Sequence, residues 1–437
     1  MKYLMDYGRT GLELELPDHW DVTVIGKKPM PALKDPAAAM VEALMRPVGS
    51  KRLAEEAEGH SSACILICDV TRPVPNGLIL PVVIRELLQA GLDAQQITVM
   101  VATGLHRHNE GAELRDVVGD DWVLETVKVV NHFARNDADH VSLGLTSRGT
   151  PIKLDRRFVE ADLRLITGLV EPHFMAGYSG GRKLIVPGVA HADTITRLHA
   201  ATFLESPSAA NCILDGNPLH EEQLEIVRLI GGALGVNTVI NEFRQTCFVN
   251  FGDVIESHHV AVDFMKKYGE IVMPRRFGTV ITSSAGYPLD KTYYQTIKGM
   301  VGPMDILEPD GDLFIVSECS EGMGSPDYVE AQRRLVAVGP TKFLEELRPK
   351  GNAAIDEWQT EMQLKPMRIG TIRLFTQALK EQDRELTGVE TFTDLDRFRQ
   401  AIRKSVERSA DSAVAIIPEG PYVIPLFHGD GKGPVSP

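Results

Sequence analysis

The sequence predicts an α/β protein of two Rossmann-like α/β domains with a cleft between them, and three observations carry that prediction. Short apolar runs without alternation recur along the chain, as strands buried on both faces require. Amphipathic stretches separate them at the spacing of strand–helix–strand units. A chain of 437 residues also exceeds what one hydrophobic core usually fills.

The clearest unit runs from Ser61 to Ala102. ACILIC leads to Asp69, PVVIRELLQAGL follows, and ITVMVA leads to Thr103. In the helix, Val82, Val83, Leu87 and Leu88 form one apolar stripe, with Pro81 near its start and Gly91 placed to stop it. LRLITGLV, residues 163–170, reads as a third buried strand. Asp35 and Pro36 open an earlier helix with Val41, Leu44 and Met45 on one side, and another runs from Asn217 to Ile230 with Leu224, Val227 and Ile230 inward. After MPRRFG at Met273 a second α/β pattern begins: strands GTVITSS, DLFIVSE, RIGTIRLFT and AVAIIP, with helical stretches such as PTKFLEELRP. The expected domains are 1–272 and 273–409, with 410–437 returning to the first and HGDGKGPVSP at the end as a loose tail.

Composition narrows the function. A formal charge of -14 argues against nucleic acid as a partner, because phosphates need a basic face, and leaves only local arginines for small anions. No basic flank precedes an apolar core at the N-terminus, and no run reaches the length a membrane span requires, so the expectation is a cytoplasmic chain with no membrane partner. Cys64, Cys68, Cys212, Cys247 and Cys319 are odd in number and form no CxxC pair, which fits thiols in a reducing compartment.

In open α/β sheets, ligands bind beyond the carboxyl ends of the strands, and the unusual polar groups sit at those ends. The first strand delivers Asp69-Val70-Thr71-Arg72-Pro73, the second Thr103-Gly104-Leu105-His106-Arg107, and the third Glu171-Pro172-His173. Arg72 offers a planar fork for a carboxylate or phosphate, or else a surface ion pair. His106 and His173 have the side-chain type that titrates near neutrality, so two in one pocket could serve a substrate as acid and base. His108, two residues beyond His106, points elsewhere in an extended segment. Next come Ala176-Gly177-Tyr178-Ser179-Gly180-Gly181, a turn whose backbone can approach an anion, then Arg182, Lys183 and, sixteen positions after Lys183, His199. The turn matches neither GxxxxGK[ST] nor GxGxxG, and no HExxH or cysteine cluster holds a metal unaided.

These residues resemble the nickel-pincer-dependent lactate racemase family of 2-hydroxy acid racemases and epimerases. The resemblance covers nearly the whole chain, through DVTRPVP (69–75), TGLHR (103–107), EPHFMAGYSGGRK (171–183), His199 and GYPLDKTYYQTIKGM (286–300). It implies that Lys183 is joined covalently to a nickel pincer nucleotide, a pyridinium-3,5-dithiocarboxylic acid mononucleotide, with His199 binding the nickel; one imidazole then completes the planar centre Ni(II) accepts. It further implies that His106 and His173 are paired acid/base groups and that Arg72 and Lys298 clamp the substrate carboxylate. Tyr294 and Gln295 would line the substrate side from the second domain, and a helical reading puts Tyr294 and Lys298 on one face. By the same resemblance Asp69 and Thr71 orient the cofactor or the histidines, and Ser179, Gly180 and Gly181 contact the mononucleotide. Partners would be a small 2-hydroxy acid and the proteins that build the cofactor.

Breaking the C2–H bond of a 2-hydroxy acid as a proton faces a very large barrier beside an ionised carboxylate, and hydride transfer avoids the carbanion. The expected path is removal of the hydroxyl proton by one histidine, hydride transfer to the pyridinium ring, turning of the 2-keto acid, and return of hydride to its other face with the second histidine supplying the proton. Closure of the cleft would exclude water. Phe174 and Met175 suggest a compact substrate, whereas Arg107, Arg182 and Arg197 could serve a second carboxylate, as in malate. Two rivals stand beside this reading: a nicotinamide-dependent hydroxy acid dehydrogenase, and a non-enzymatic anion- or nickel-cofactor-binding protein.

Overall fold

The structure, a computed structural model, describes residues 1–409 and 412–427. It divides into two compact units. The first comprises Pro29–Leu198 and Ile213–Lys267, and the second comprises Met1–Lys28, His199–Cys212 and the chain from Tyr268 onward.

The first unit is built on a six-stranded sheet in the order Thr246–Asp253, Leu234–Ile240, Leu163–Leu169, Ala63–Cys68, Ile97–Ala102, Lys128–Asn131. All neighbours run parallel except the first pair, which is antiparallel. The central strands are predominantly apolar because both faces are covered. Ile65, Ile67, Val99 and Val101 pack into one cluster, and Cys64, Leu66, Met100 and Ile166 into another.

The helix after Ala63–Cys68 spans Asn76–Gln89, so it begins five residues before Pro81, and that proline lies inside it. Burial of Ile79 and Leu80 holds the added turn although proline contributes no N–H there. The helix Pro36–Met45 is capped as expected, with the Asp35 carboxylate accepting from the Ala38 N–H at 2.9 Å. Its buried stripe is Met40, Ala43 and Leu44, spaced i, i+3, i+4, while Val41 and Met45 are exposed. In Pro218–Leu229, Val227 is buried, as is Ile230 just beyond it, but Leu224 is only half-buried; Leu219, His220, Gln223 and Ile226 complete the inward face.

The second unit carries another six-stranded sheet, ordered Glu390–Phe392, Thr371–Phe375, Leu307–Val316, Phe277–Ser283, Ala413–Ile417, Asp21–Val24, every neighbouring pair parallel. Two expectations about organisation are corrected here. The N-terminal stretch joins this sheet through Asp21–Val24, and Ala413–Ile417 lies within it, so neither Met1–Lys28 nor the described part of 410–437 belongs with the first unit. The compact units part between Lys267 and Tyr268, near the expected break at Met273. The expected tail, 428–437, lies outside the described residues.

Candidate active site

The carboxyl ends of three adjacent parallel strands of the first unit bring the expected polar groups together, and hydrogen bonds lock the three loops to one another. After Ala63–Cys68, the Asp69 side chain is only 7% exposed and its Oδ2 lies 2.7 Å from Nδ1 of His106, which follows Ile97–Ala102. The other carboxylate oxygen accepts from the Thr71 hydroxyl at 2.5 Å and the Thr71 N–H at 3.1 Å. Burial pushes the Asp69 carboxyl up, but His106, the Thr71 hydroxyl and Arg72 outweigh it and hold the group below the usual aspartate range. Arg72 reaches back to the third loop, with Nε 3.0 Å from Glu171 beyond Leu163–Leu169. The bland and the functional readings of Arg72 thus meet: it forms an ion pair, and its partner is two residues from His173.

His173 sits in a small hairpin, Pro172–His173 against Gly177–Tyr178. Its Nδ1 accepts the backbone N–H groups of Met175 and Ala176, each at 3.2 Å. The hairpin depends on Gly177, whose φ is +76° and where an added Cβ would meet the Ile213 carbonyl at 2.2 Å. Ser179 spends its hydroxyl on closing the loop, donating to the Leu169 carbonyl at 2.7 Å and accepting from the Glu171 N–H at 3.0 Å. Gly180 and Gly181 both have positive φ, and Lys183 is half-buried on the single turn Gly181–Leu184, packed on the Leu163–Leu169 strand.

Arg182 turns inward. It is 1% exposed, donates to the Ala176 carbonyl at 2.7 Å, and burial lowers its pKa to about 9. His258 lies beside it and bonds the Ser179 carbonyl at 2.8 Å. Arg107 forms a two-pronged pair with Glu113 at 2.7 and 2.6 Å, and Arg197 bonds the Arg148 carbonyl at 3.2 Å. None of the three arginines considered for a second carboxylate is therefore a bare cation beside His106. His108 packs against Phe133 in a tilted arrangement, ring centroids 4.0 Å apart, and takes no part in the Asp69 circuit. Phe174 and Met175 are buried in the hairpin.

Sequence reasoning missed Asn109 and Asn131. Asn109 is fully buried; its Oδ1 accepts from the Val70 N–H at 3.3 Å, and its backbone exchanges two bonds with the Asn131 amide at 3.1 and 2.9 Å. These bonds brace the loops that carry Asp69 and His106. An asparagine after a strand reads as ordinary turn chemistry, so no signal marked it.

The remaining expected residues belong to the second unit. The helix Tyr293–Val301 buries Tyr293, Thr296, Ile297 and Met300 and leaves Tyr294, Gln295 and Lys298 on its less buried side, as the four-residue spacing of Tyr294 and Lys298 implied. Gln295 keeps a buried Oε1 without a hydrogen-bond partner among the described residues. His199, half-buried, packs against Trp358 with ring centroids 4.6 Å apart and planes at 39°. The Trp358 indole N–H lies 3.3 Å from the Tyr294 hydroxyl, and Gln359 donates to the Tyr294 carbonyl at 2.6 Å. Burial raises the Tyr294 phenol above its ordinary pKa, so it remains a neutral hydroxyl. Trp358 was not anticipated.

Does this residue set fit a nickel pincer nucleotide? Among the described residues no group of three or more His, Cys, Asp and Glu side chains is arranged to hold a metal ion. A metal at His199 therefore needs donors supplied by another group, which is what a pincer ligand provides. Lys183 offers a half-buried amine on the turn Gly181–Leu184. The donor chemistry fits.

Residues 7–211 match the model of the lactate racemase N-terminal domain, and residues 273–425 match that of the lactate racemase C-terminal domain. The chain is 31% identical over 389 residues to a lactate racemase of Lactiplantibacillus plantarum, spanning 88% of this chain and 89% of that protein. It is 28% identical over 425 residues to a lactate racemase of Thermoanaerobacterium thermosaccharolyticum, spanning 96% and 97%. It superposes on a lactate racemase apoprotein from the latter organism with a TM-score of 0.90 at 26% identity, covering 97% of this chain and all of that one. A Thermotoga maritima protein shares the fold alone, with a TM-score of 0.67 at 15% identity over 92% of this chain and 100% of its own. The chain belongs to the lactate racemase family.

Proposed function

We propose that this protein is an isomerase that interconverts the enantiomers of lactate or a similarly small 2-hydroxy acid. The observation that carries the reading is the bonded circuit His106–Asp69 and Arg72–Glu171, with His173 two residues on, at adjoining strand ends of a lactate racemase family chain.

In this reading Lys183 anchors a nickel pincer nucleotide, His199 completes the nickel's coordination, and the backbone of Ser179, Gly180 and Gly181 contacts the mononucleotide. When bound, that group supplies a pyridinium acceptor for the hydride of C2. The protein's own residues do the rest. Arg72 and Lys298 take the substrate carboxylate, fixing C2 while the keto acid turns. His106 and His173 both address the hydroxyl oxygen of the substrate, where acid/base help is needed. Asp69, held in place by Thr71, orients His106 and steadies positive charge on it. Tyr294, Gln295 and Trp358 line the region around His199. Engagement of the three arginines elsewhere favours a monocarboxylate over a malate-like diacid. The cofactor's makers are the expected protein partners, and the five free cysteines fit a cytoplasmic setting. Among the described residues no helix is long and apolar enough to cross a membrane.

The test is to produce the chain alongside the cofactor-building enzymes and record its intact mass, nickel content and racemisation of each lactate enantiomer, with Lys183→Ala as comparison. A mass increment, nickel and racemisation, all lost in the variant, are expected. Wild-type protein with no adduct, beside a control that loads, would reject the cofactor. Oxidation of lactate with free nicotinamide cofactor would favour the dehydrogenase.

A further inference from the structure

His106 and His173 are held in opposite hydrogen-bonding states. An ionised carboxylate only accepts, so Asp69 at 2.7 Å fixes the proton of neutral His106 on Nδ1 and leaves Nε2 as a lone pair. With a side chain 62% exposed, His106 presents that nitrogen outward. At His173 the arrangement is reversed. Two backbone N–H groups, from Met175 and Ala176, point at Nδ1 at 3.2 Å, so Nδ1 is the acceptor and the neutral ring carries its proton on Nε2. Turning the ring over would set a C–H against the same two donors. Placing a proton on Nδ1 would likewise set an N–H against them. The rigidity needed for this comes from the Pro172–His173 and Gly177–Tyr178 pairing and from the buried Phe174, Met175 and Ala176 between them.

We infer that the two histidines are not interchangeable: His106 is the group that exchanges a proton with the substrate hydroxyl, and His173 is a neutral Nε2–H donor that holds the substrate oxygen and keeps its own proton. The inference rests on the racemase reading above. As the C2–H bond breaks and its electron pair leaves with hydrogen to the pyridinium-class acceptor, the O–H proton passes to Nε2 of His106. The products are a 2-keto acid and an imidazolium whose Nδ1–H stays on Asp69. On the return, the hydrogen and its pair come back to the opposite face of C2, and the same proton goes from His106 to oxygen. Because the proton resides on oxygen and not on the inverted carbon, one base suffices for both directions. The Nε2–H of His173 is then an oxyanion-type donor, and a neutral imidazole bonded through its other nitrogen to backbone N–H groups is well suited to that work.

A group that only donates can be replaced by an amide, whereas a group that accepts a proton cannot. Loaded holoenzymes carrying His106→Gln and His173→Gln are compared with wild type, with loading checked by intact mass. His106→Gln is expected to lose about 10³-fold or more in kcat for both enantiomers. His173→Gln keeps an N–H near the oxygen and loses no more than about 10- to 50-fold, while His173→Ala loses about 10²- to 10³-fold. Equal, severe losses in the two glutamine variants would overturn the division of labour. Independently of turnover, ¹⁵N spectra of the histidine-labelled chain without cofactor, at mildly alkaline pH and assigned by the same variants, should show Nδ1–H at His106 and Nε2–H at His173. A protonated Nδ1 at His173, or one tautomer at both, would overturn the inference even in an active enzyme. Opposite tautomers in a loaded wild type that does not racemise lactate would instead reject the racemase reading.

Discussion

Glu171 holds Arg72 through the guanidinium Nε at 3.0 Å, both side chains about a quarter exposed, while Arg72 also reaches the Thr71 carbonyl at 3.2 Å. A guanidinium gripped at Nε keeps its outer nitrogens aimed in a fixed direction, the arrangement a carboxylate clamp needs. Glu171→Ala should therefore raise the lactate KM about tenfold with kcat little changed, because the residue preorganises binding without touching the reacting bond. Steady-state kinetics on both enantiomers checks this. A fall in kcat at unchanged KM would place Glu171 in the chemistry instead.

Asp69→Asn should be far more damaging than its one-atom change suggests. An amide offers an N–H as readily as a carbonyl, so His106 loses the partner that fixes its proton on Nδ1 and offsets its positive charge. The expected cost in kcat is about 10²- to 10⁴-fold, with loading of the cofactor retained. Near wild-type kcat in a loaded Asp69→Asn enzyme would show that the carboxylate is structural only.

Acid should destabilise the first unit through its buried histidines. Burial foremost, then Arg182, lowers the pKa of His220 to about 3, and the same two causes hold His258 well below its ordinary value. Both groups bind a proton in the unfolded chain below about pH 6.5 but not in the folded one, so the unfolded state gains protons as pH falls. Stability is complete above about pH 6.5 and declines from there towards about pH 3, each histidine contributing up to about 1.4 kcal/mol per pH unit. Denaturant titrations across this window should follow that slope, and His220→Gln should flatten it. An unchanged slope in the variant would remove His220 from the account.

Trp358 is expected to matter to His199 through its face and to Tyr294 through its N–H. Trp358→Ala should cost about 3 to 5 kcal/mol of stability and lower nickel content, since the imidazole loses the surface it rests on. Trp358→Phe keeps a ring and gives up one hydrogen bond, a loss of about 1 kcal/mol, and should retain nickel. Denaturant unfolding and elemental analysis distinguish these outcomes, and equal nickel loss in both would tie the metal to the indole N–H.

What could be read in the sequence divides along physical lines. Ala63–Cys68, Ile97–Ala102 and Leu163–Leu169 were visible because burial on both faces makes a strand predominantly apolar without alternation, and the polar groups at their ends followed from chain direction alone. Asp21–Val24 was not, being four residues long and half-exposed at a sheet edge. The helix Glu357–Met367 also hid, because it is buried on every side while carrying Glu357, Gln359, Glu361, Gln363 and Lys365, so it shows no apolar stripe. Trp358 lies in it, and an aromatic residue without a periodic setting carries no mark of function. His199 directly follows Leu198 in sequence, and adjacency placed it with the first domain. Packing of 201–204 on the helix Glu357–Met367 places it in the second unit.

The parallel pairing of Asp21–Val24 with Ala413–Ile417 has a consequence for synthesis. Asp21–Val24 leaves the ribosome long before Ala413–Ile417, its partner, has been made. Until then its unpaired backbone is open to the wrong neighbour, while the first unit, whose segments end at Lys267, already has all its strands. Cutting the gene near codon 272 would not release two independent pieces, because the upstream fragment would keep Met1–Lys28 and His199–Cys212 with no sheet to receive them.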